Sequence, residues 1–162
     1  MSSALARIIQ NVEVILALPD ATGSYNHDLS GGQQVHIAPV WPPPTLPCVM
    51  VVDMSISSQV GNTLPDHTRT LLLECVGYVG ASATTAMARF IAAANLLEDV
   101  CRAVSLHRAQ NDGNVMAYDM GGIVYDTRVT NMKAWPMADG VSPSFGVCEF
   151  TLEIVYKNGA AA

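Results

Sequence analysis

The sequence predicts an α+β domain: a mostly antiparallel sheet of four strands, or slightly more, with two helices packed on one face in the order α-β-β-α-β-β. Three observations predict it. Residues 82–110 form the longest run with helical spacing, apolar at Met87, Phe90, Ile91, Ala94, Leu97, Cys101 and Val104. Residues 145–156 alternate cleanly, with Cys148, Phe150, Leu152, Ile154 and Tyr156 turned inward and Val147, Glu149, Thr151, Glu153 and Val155 outward. Four strand-like stretches fall as two pairs, one before the long helix and one after it.

In chain order, Leu5, Ile8, Ile9, Val12, Ile15 and Leu16 have helical spacing, so residues 3–18 are expected to form an amphipathic helix that Pro19 ends. Residues 19–47 hold six of the nine prolines: Pro19, Pro39, Pro42, Pro43, Pro44 and Pro47. They predict a long loop, polyproline-like at Pro42–Pro44, with room for a short strand at Gln33–Ile37. Residues 48–57 and 68–79 read as paired strands, the second with Leu71, Leu73, Cys75 and Val79 on one face. In the long helix Ser82 or Thr84 can cap the start, and His107 and Arg108 suit the negative end of the helix dipole. Asn95, Glu98, Asp99, Arg102 and Ser105 are expected on its solvent side. Residues 109–122, rich in glycine and acidic or amide residues, predict a mobile loop. Residues 123–133 and 145–156 are the second strand pair. Both loops, 19–47 and 109–122, are expected to be mobile in the free chain and to order on assembly.

At 162 residues the chain is expected to form a single domain, 1–162, large enough for a core without metals or disulfides. Charged residues make up 14 % of it, against about 25 % in a typical soluble domain. Such poverty of charge predicts surface hidden against partners, the alternative being a large, ordinary core. The net charge of −6 and the absence of a Lys/Arg cluster argue against gripping nucleic acid, though an acidic wall past which DNA slides is compatible with them. No apolar run approaches the roughly 20 residues of a membrane span. Polar Gln10, Asn11 and Glu13 interrupt any signal-peptide core. Cys48, Cys75, Cys101 and Cys148 are far apart and lie in apolar patterns, as expected of buried free thiols.

The search for chemistry returns no catalytic, cofactor or metal constellation. His27, His36, His67 and His107 are scattered without metal-ligand spacing. Ser82, in GASAT, lacks the second glycine of a nucleophile elbow. Asp112, Asp119 and Asp126 do not match a calcium loop. Asp53, Glu74, Glu149 and Glu153 occupy polar strand positions; as acid and base they could pair, but solvated carboxylates on a sheet face are the simpler account. Interface candidates are clearer. Trp41 sits beside the prolines, and Met132, Trp135 and Met137 gather in what reads as a turn. Trp and Met are enriched where proteins meet, although Trp135 could equally fold back on its own core.

Five stretches, ALARIIQNVEVIL, PCVMVVDMS, TRTLLLECVGYV, NLLEDVCRAV and FTLEIVYKN, occur in an order that resembles the tail terminator (tail completion) proteins of long-tailed bacteriophages. The resemblance covers residues 3–18 and 47–157 and departs at 19–47, which is a longer Pro-rich insertion. It implies a homo-oligomeric ring, typically of six copies, at the head-proximal end of the tail tube, in the neck of the virion. Made in the host cytoplasm, such a ring stops tube polymerisation and offers a joining surface to the head connector or stopper protein. Its partners are other copies, the tube protein and the connector; DNA is passing cargo, and no membrane is involved. The resemblance carries over no catalytic residue and no cofactor. Alternatives are another neck component, at head closure or the sheath end, and a small α+β ligand-binding domain or enzyme. A deep polar cavity containing His67 or Glu74 would favour the last.

Overall fold

A computed structural model of the chain describes residues 3–20, 22, 24–58, 68–80, 85–110, 124–136 and 145–157. The elements are α1 (Ala4–Leu16), β1 (Val35–His36), β2 (Cys48–Ser58), β3 (Thr68–Gly80), α2 (Ala86–Gln110), β4 (Val124–Pro136) and β5 (Phe145–Lys157). They make an α+β domain with one five-stranded sheet in the order β1-β2-β3-β5-β4. The sheet is mixed: β1 runs parallel to β2, and the other neighbours are antiparallel. The extra strand lies inside the expected Gln33–Ile37 segment and changes the order to α-β-β-β-α-β-β. The expected mobile loop at 109–122 has its first two residues at the end of α2; the remainder lies outside the described residues.

The core forms where two periodicities meet. On β3, Leu71, Leu73, Cys75 and Val79 are buried; on β5, Cys148, Phe150, Leu152, Ile154 and Tyr156 are buried beside them. α1 begins at Ser3, whose hydroxyl accepts from the Ala6 N–H, and it contributes Ile8, Val12, Ile15 and Leu16 to the same core. Ile9, half-buried on α1, lines a small apolar cavity with Ile37, Val51, Met54 and Leu73.

α2 differs from expectation in its start and its face. Ser82 and Thr84 lie outside the described residues, and the cap is Thr85, whose Oγ1 accepts from the Ala88 N–H at 3.2 Å. The buried residues are Arg89, Ala93, Leu96, Asp99, Val100, Ala103 and Val104, while Met87, Phe90 and Ile91 are exposed by 68, 42 and 51 %. The helix is therefore turned by about one residue, roughly 100°, from the face its largest apolar residues suggest. Close approach explains the turn. A Cβ on Gly146 would lie 2.2 Å from the Arg89 carbonyl oxygen and 3.2 Å from the Ala93 Cβ. A Cβ on Gly77 would meet the Cys148 sulfur at 2.6 Å and Leu96 Cδ2 at 2.9 Å. The helix settles on two glycines through small residues, which brings its backbone to the sheet and leaves its bulkiest side chains outside. Asp99, expected in solvent, is carried inward by the same rotation.

All four cysteines are free; Cys48, Cys75 and Cys148 are buried and Cys101 is half-buried. Burial pushes the Cys48 thiol up to about 11, and the Cys75 and Cys148 thiols, each also beside another thiol, up to about 12. Above an ordinary thiol value of 9.0 the unfolded chain loses protons that the folded chain keeps, so the unfolded state binds fewer. Stability is then fully present below that pH and falls as pH rises toward 12. A melting temperature that is level near neutrality and declines above about pH 9 is the expected result. A level profile through pH 11 would contradict the burial of these thiols.

Candidate assembly surface

The sheet has a second face, opposite the core, and the strand register decides what it carries. Up to Val51, β2 turns Val49 and Val51 to the core and Cys48 and Met50 to the second face, since Val49 pairs with Gly77 and Val51 with Cys75. A bulge between Val51 and Asp53 inserts Val52 and reverses the parity. Asp53 then pairs with Glu74 on the second face, and Met54 and Ile56 move to the helix side. β4 has the same device. Its register shifts between Thr130 and Lys133, where Asn131 adopts φ 52°, and Lys133 emerges opposite Glu149 on the second face. Without these two bulges Asp53 and Lys133 would point into the core.

The result is a charged field across four strands. One row holds Asp53, Glu74, Thr151 and Thr130; the next holds Val76, Glu149 and Lys133; another holds Ser55, Leu72, Glu153 and Arg128. Arg128 donates to Glu153 at 2.6 Å. Asp126, beside Val155, adds a fifth carboxylate, so five acids share this face with Arg128 and Lys133, and Lys157, paired with Thr68, holds a register position of the same parity at the end of β5. Glu74, Glu149, Lys133, Asn131 and Thr151 line an open depression of about 270 Å³.

One end of this face is aromatic. Trp41 packs edge-on against Tyr78 and Phe145, with ring centroids 6.0 and 6.3 Å apart, and Tyr78 meets Phe145 at 5.9 Å. The Val40 N–H donates to the Met50 sulfur, so the segment before β2 is folded over this end of the face. A cis bond joins Trp41 to Pro42 in it. Trp41 stays 64 % exposed.

The four interface candidates therefore separate. Trp41 and Trp135 share the second face at the same end, for Trp135 pairs with Val147, which pairs with Tyr78. Trp135 is half-buried and belongs to β4, which continues to Pro136; the expected turn at this point is strand. Proline is tolerated there because β4 is the sheet's terminal strand. Met132, ejected by the bulge, lies on the helix side with its sulfur 3.4 Å from that of Cys101 and is 53 % exposed. Met137 lies outside the described residues.

The chain matches no family model and no curated protein. Among the described residues no group of three or more His, Cys, Asp and Glu side chains could hold a metal ion. None of their helices is long and apolar enough to cross a membrane.

Asp99 is a charged site that residue spacing concealed. It is 1 % exposed and accepts from the Asn26 N–H, the Asn26 side-chain amide and the His27 N–H, each at 2.9 Å, with His27 Nδ1 also at 2.9 Å. Two residues past His27, Leu29 is fully buried and its N–H donates to the Pro19 carbonyl at 2.8 Å. Asp99 thus ties the start of the Pro-rich segment to the middle of α2. The signal that could have found it is the lone carboxylate between Leu96 and Val100 on what is now the buried stripe.

Proposed function

We propose that this chain is a structural virion protein that forms a ring at the head-proximal end of a phage tail tube. The ring ends tube polymerisation and presents the joining surface for the head connector or stopper. The observation that carries the proposal is the second sheet face, where the five carboxylates of Asp53, Glu74, Asp126, Glu149 and Glu153 outnumber the three cations at its register positions, Arg128, Lys133 and Lys157. Such a wall repels phosphate, as suits a channel through which DNA passes without being held. The aromatic end of that face supports the reading, since it offers Trp41 and Trp135 to a partner along the channel axis. So does the outer side of α2, where Met87, Phe90 and Ile91 leave apolar surface to be covered by assembly. The ligand-binding alternative has less behind it. The apolar cavity beside α1 measures about 140 Å³, below the roughly 300–1,000 Å³ usual for ligand sites. Glu74 does line the polar depression of about 270 Å³, but this opens on the second face, away from the helices; His67 lies outside the described residues.

Deleting the gene is expected to leave filled heads unattached to tails and to let some tubes grow past normal length, because nothing then fixes the tube end. Charge reversal at Lys133, within the Met132–Met137 segment, is expected to give a milder form of the same defect. Negative-stain microscopy of the mutant lysate reads both. Tails of normal length joined to heads in the deletion would sink the proposal.

A further inference from the structure

The two open edges of the sheet differ, and they differ in a complementary way. On one side β1 pairs with β2 only at Val49 and Met50, so from Val51 onward β2 is an edge strand. Its Val52, Met54 and Ile56 are exposed by 37, 45 and 42 %, alternating with exposed Asp53, Ser55 and Ser57. It carries neither lysine nor proline; the bulge at Val52 and the charge of Asp53 are what interrupt it. On the other side β4 is the edge, with exposed Met132 and Lys133 and the cation Arg128. Neither Asp53 nor Lys133 makes an ion pair among the described residues.

We propose that copies of this chain join head to tail through these edges, β2 of one seated against β4 of the next, with Asp53 facing Lys133 and Met54 facing Met132. Three features select this arrangement. Polarity is the first. Successive neighbours β2, β3, β5 and β4 are antiparallel, so β2 and β4 of one chain point in opposite directions. Around a ring of identically oriented copies, β2 of one copy and β4 of the next therefore meet antiparallel, the stronger pairing. Charge is the second. A β4–β4 contact would oppose the cations of Lys133 and Arg128, whereas the β2 edge offers a carboxylate; the lysine that guards β4 against stray strands attracts this one. Facing is the third. With Asp53 opposite Lys133 on the second face, Met54 and Met132 both fall on the helix side, apolar against apolar. A contact between two different edges is heterologous, the kind from which rings close.

This inference rests on the ring reading but is tested apart from it. The purified full-length chain is examined by sedimentation velocity as wild type, Asp53→Lys, Lys133→Asp and the double variant. Wild type is expected to sediment as a closed oligomer. Each single reversal is expected to raise the concentration for half-assembly by about tenfold or more, since every contact in the ring is affected, and the double is expected to restore it. Circular dichroism checks that the variants, changed only at exposed positions, keep their fold. An Asp53→Cys, Lys133→Cys chain supplies a second readout: mild oxidation should link it into a ladder of covalent multimers that neither single-cysteine variant forms. Assembly indifferent to both reversals overturns the proposal, as does failure of the double to recover. So does a wild-type chain that stays monomeric at high concentration and shields its β2 edge only when tube protein is added. Any of these with the tail defect intact removes the edge contact and leaves the terminator reading standing; a charge-swapped ring without a tail defect does the reverse.

Discussion

Truncating Phe150 to alanine is expected to destabilise the isolated chain by about 3–5 kcal/mol, while the same truncation at Phe90 should cost only roughly 1 kcal/mol. Phe150 is 2 % exposed in the central strand pair, opposite Cys75 on β3 and beside the β4 bulge. Its removal leaves a hole between the sheet and the helices packed on it, which the hydrogen-bonded strands and the docked helices can close only in part. Phe90 is 42 % exposed on the outside of α2 and leaves no enclosed cavity behind. Denaturant unfolding of the two variants side by side distinguishes the faces of the helix. Equal losses, or a larger loss at Phe90, would mean that α2 lies on the sheet by its bulky stripe after all.

The second large effect is expected at Asp99. Asp99→Ala removes the acceptor for two backbone N–H groups and two side-chain donors at once. A buried donor left without a partner costs about 1–3 kcal/mol, so with partial rescue by water the loss should be about 2–4 kcal/mol. Asp99→Asn is not a gentle substitute, because its NH₂ must face donors. The specific readout is hydrogen exchange at the amides of Asn26 and His27, which should accelerate well beyond the change in global stability. Amides that keep their protection in Asp99→Ala would show that something other than this carboxylate holds the segment to the helix.

The strands of the second pair and the inward face of β3 and β5 were legible because alternation has one period and one answer. Cys148 to Tyr156 could be buried only one way. The α2 face was not legible, because Ala92, Ala93 and Ala94 supply apolar surface on several sides. Size then favours Phe90 and Ile91, while contact depends on glycines in β3 and β5, far away in sequence. Asp99 looked like a solvent residue for the same reason: its partners are 72 and 73 positions earlier. The carboxylates Asp53, Glu74, Glu149 and Glu153 were read as sheet-face residues, and they share one face. That Asp53 joins them depends on a bulge, and nothing in CVMVVDMS marks where the extra residue enters. Of the four interface candidates, Trp41 and Trp135 come together at one end, but Met132 is thrown to the opposite side by the second bulge. The Met132–Met137 stretch reads as a turn, yet β4 runs through it to Pro136, because an edge strand can do without that N–H.

The strand order has a consequence for how the chain folds. β2–β3 and β4–β5 are each neighbours in sequence, and hairpins of this kind form in about 1–10 μs. The pairing that joins them, β3 with β5, brings together partners roughly 65–90 residues apart. Two quick local units must therefore wait for one slow encounter between them. α2 is the strap across that join, touching Gly77 on one side and Gly146 on the other. Only when both hairpins are aligned does the helix find its two glycine seats, so its docking and the closure of the sheet should be a single cooperative event. Until then each hairpin exposes an unpaired inner strand, and the time spent in that state sets the window in which a nascent chain could pair with the wrong copy.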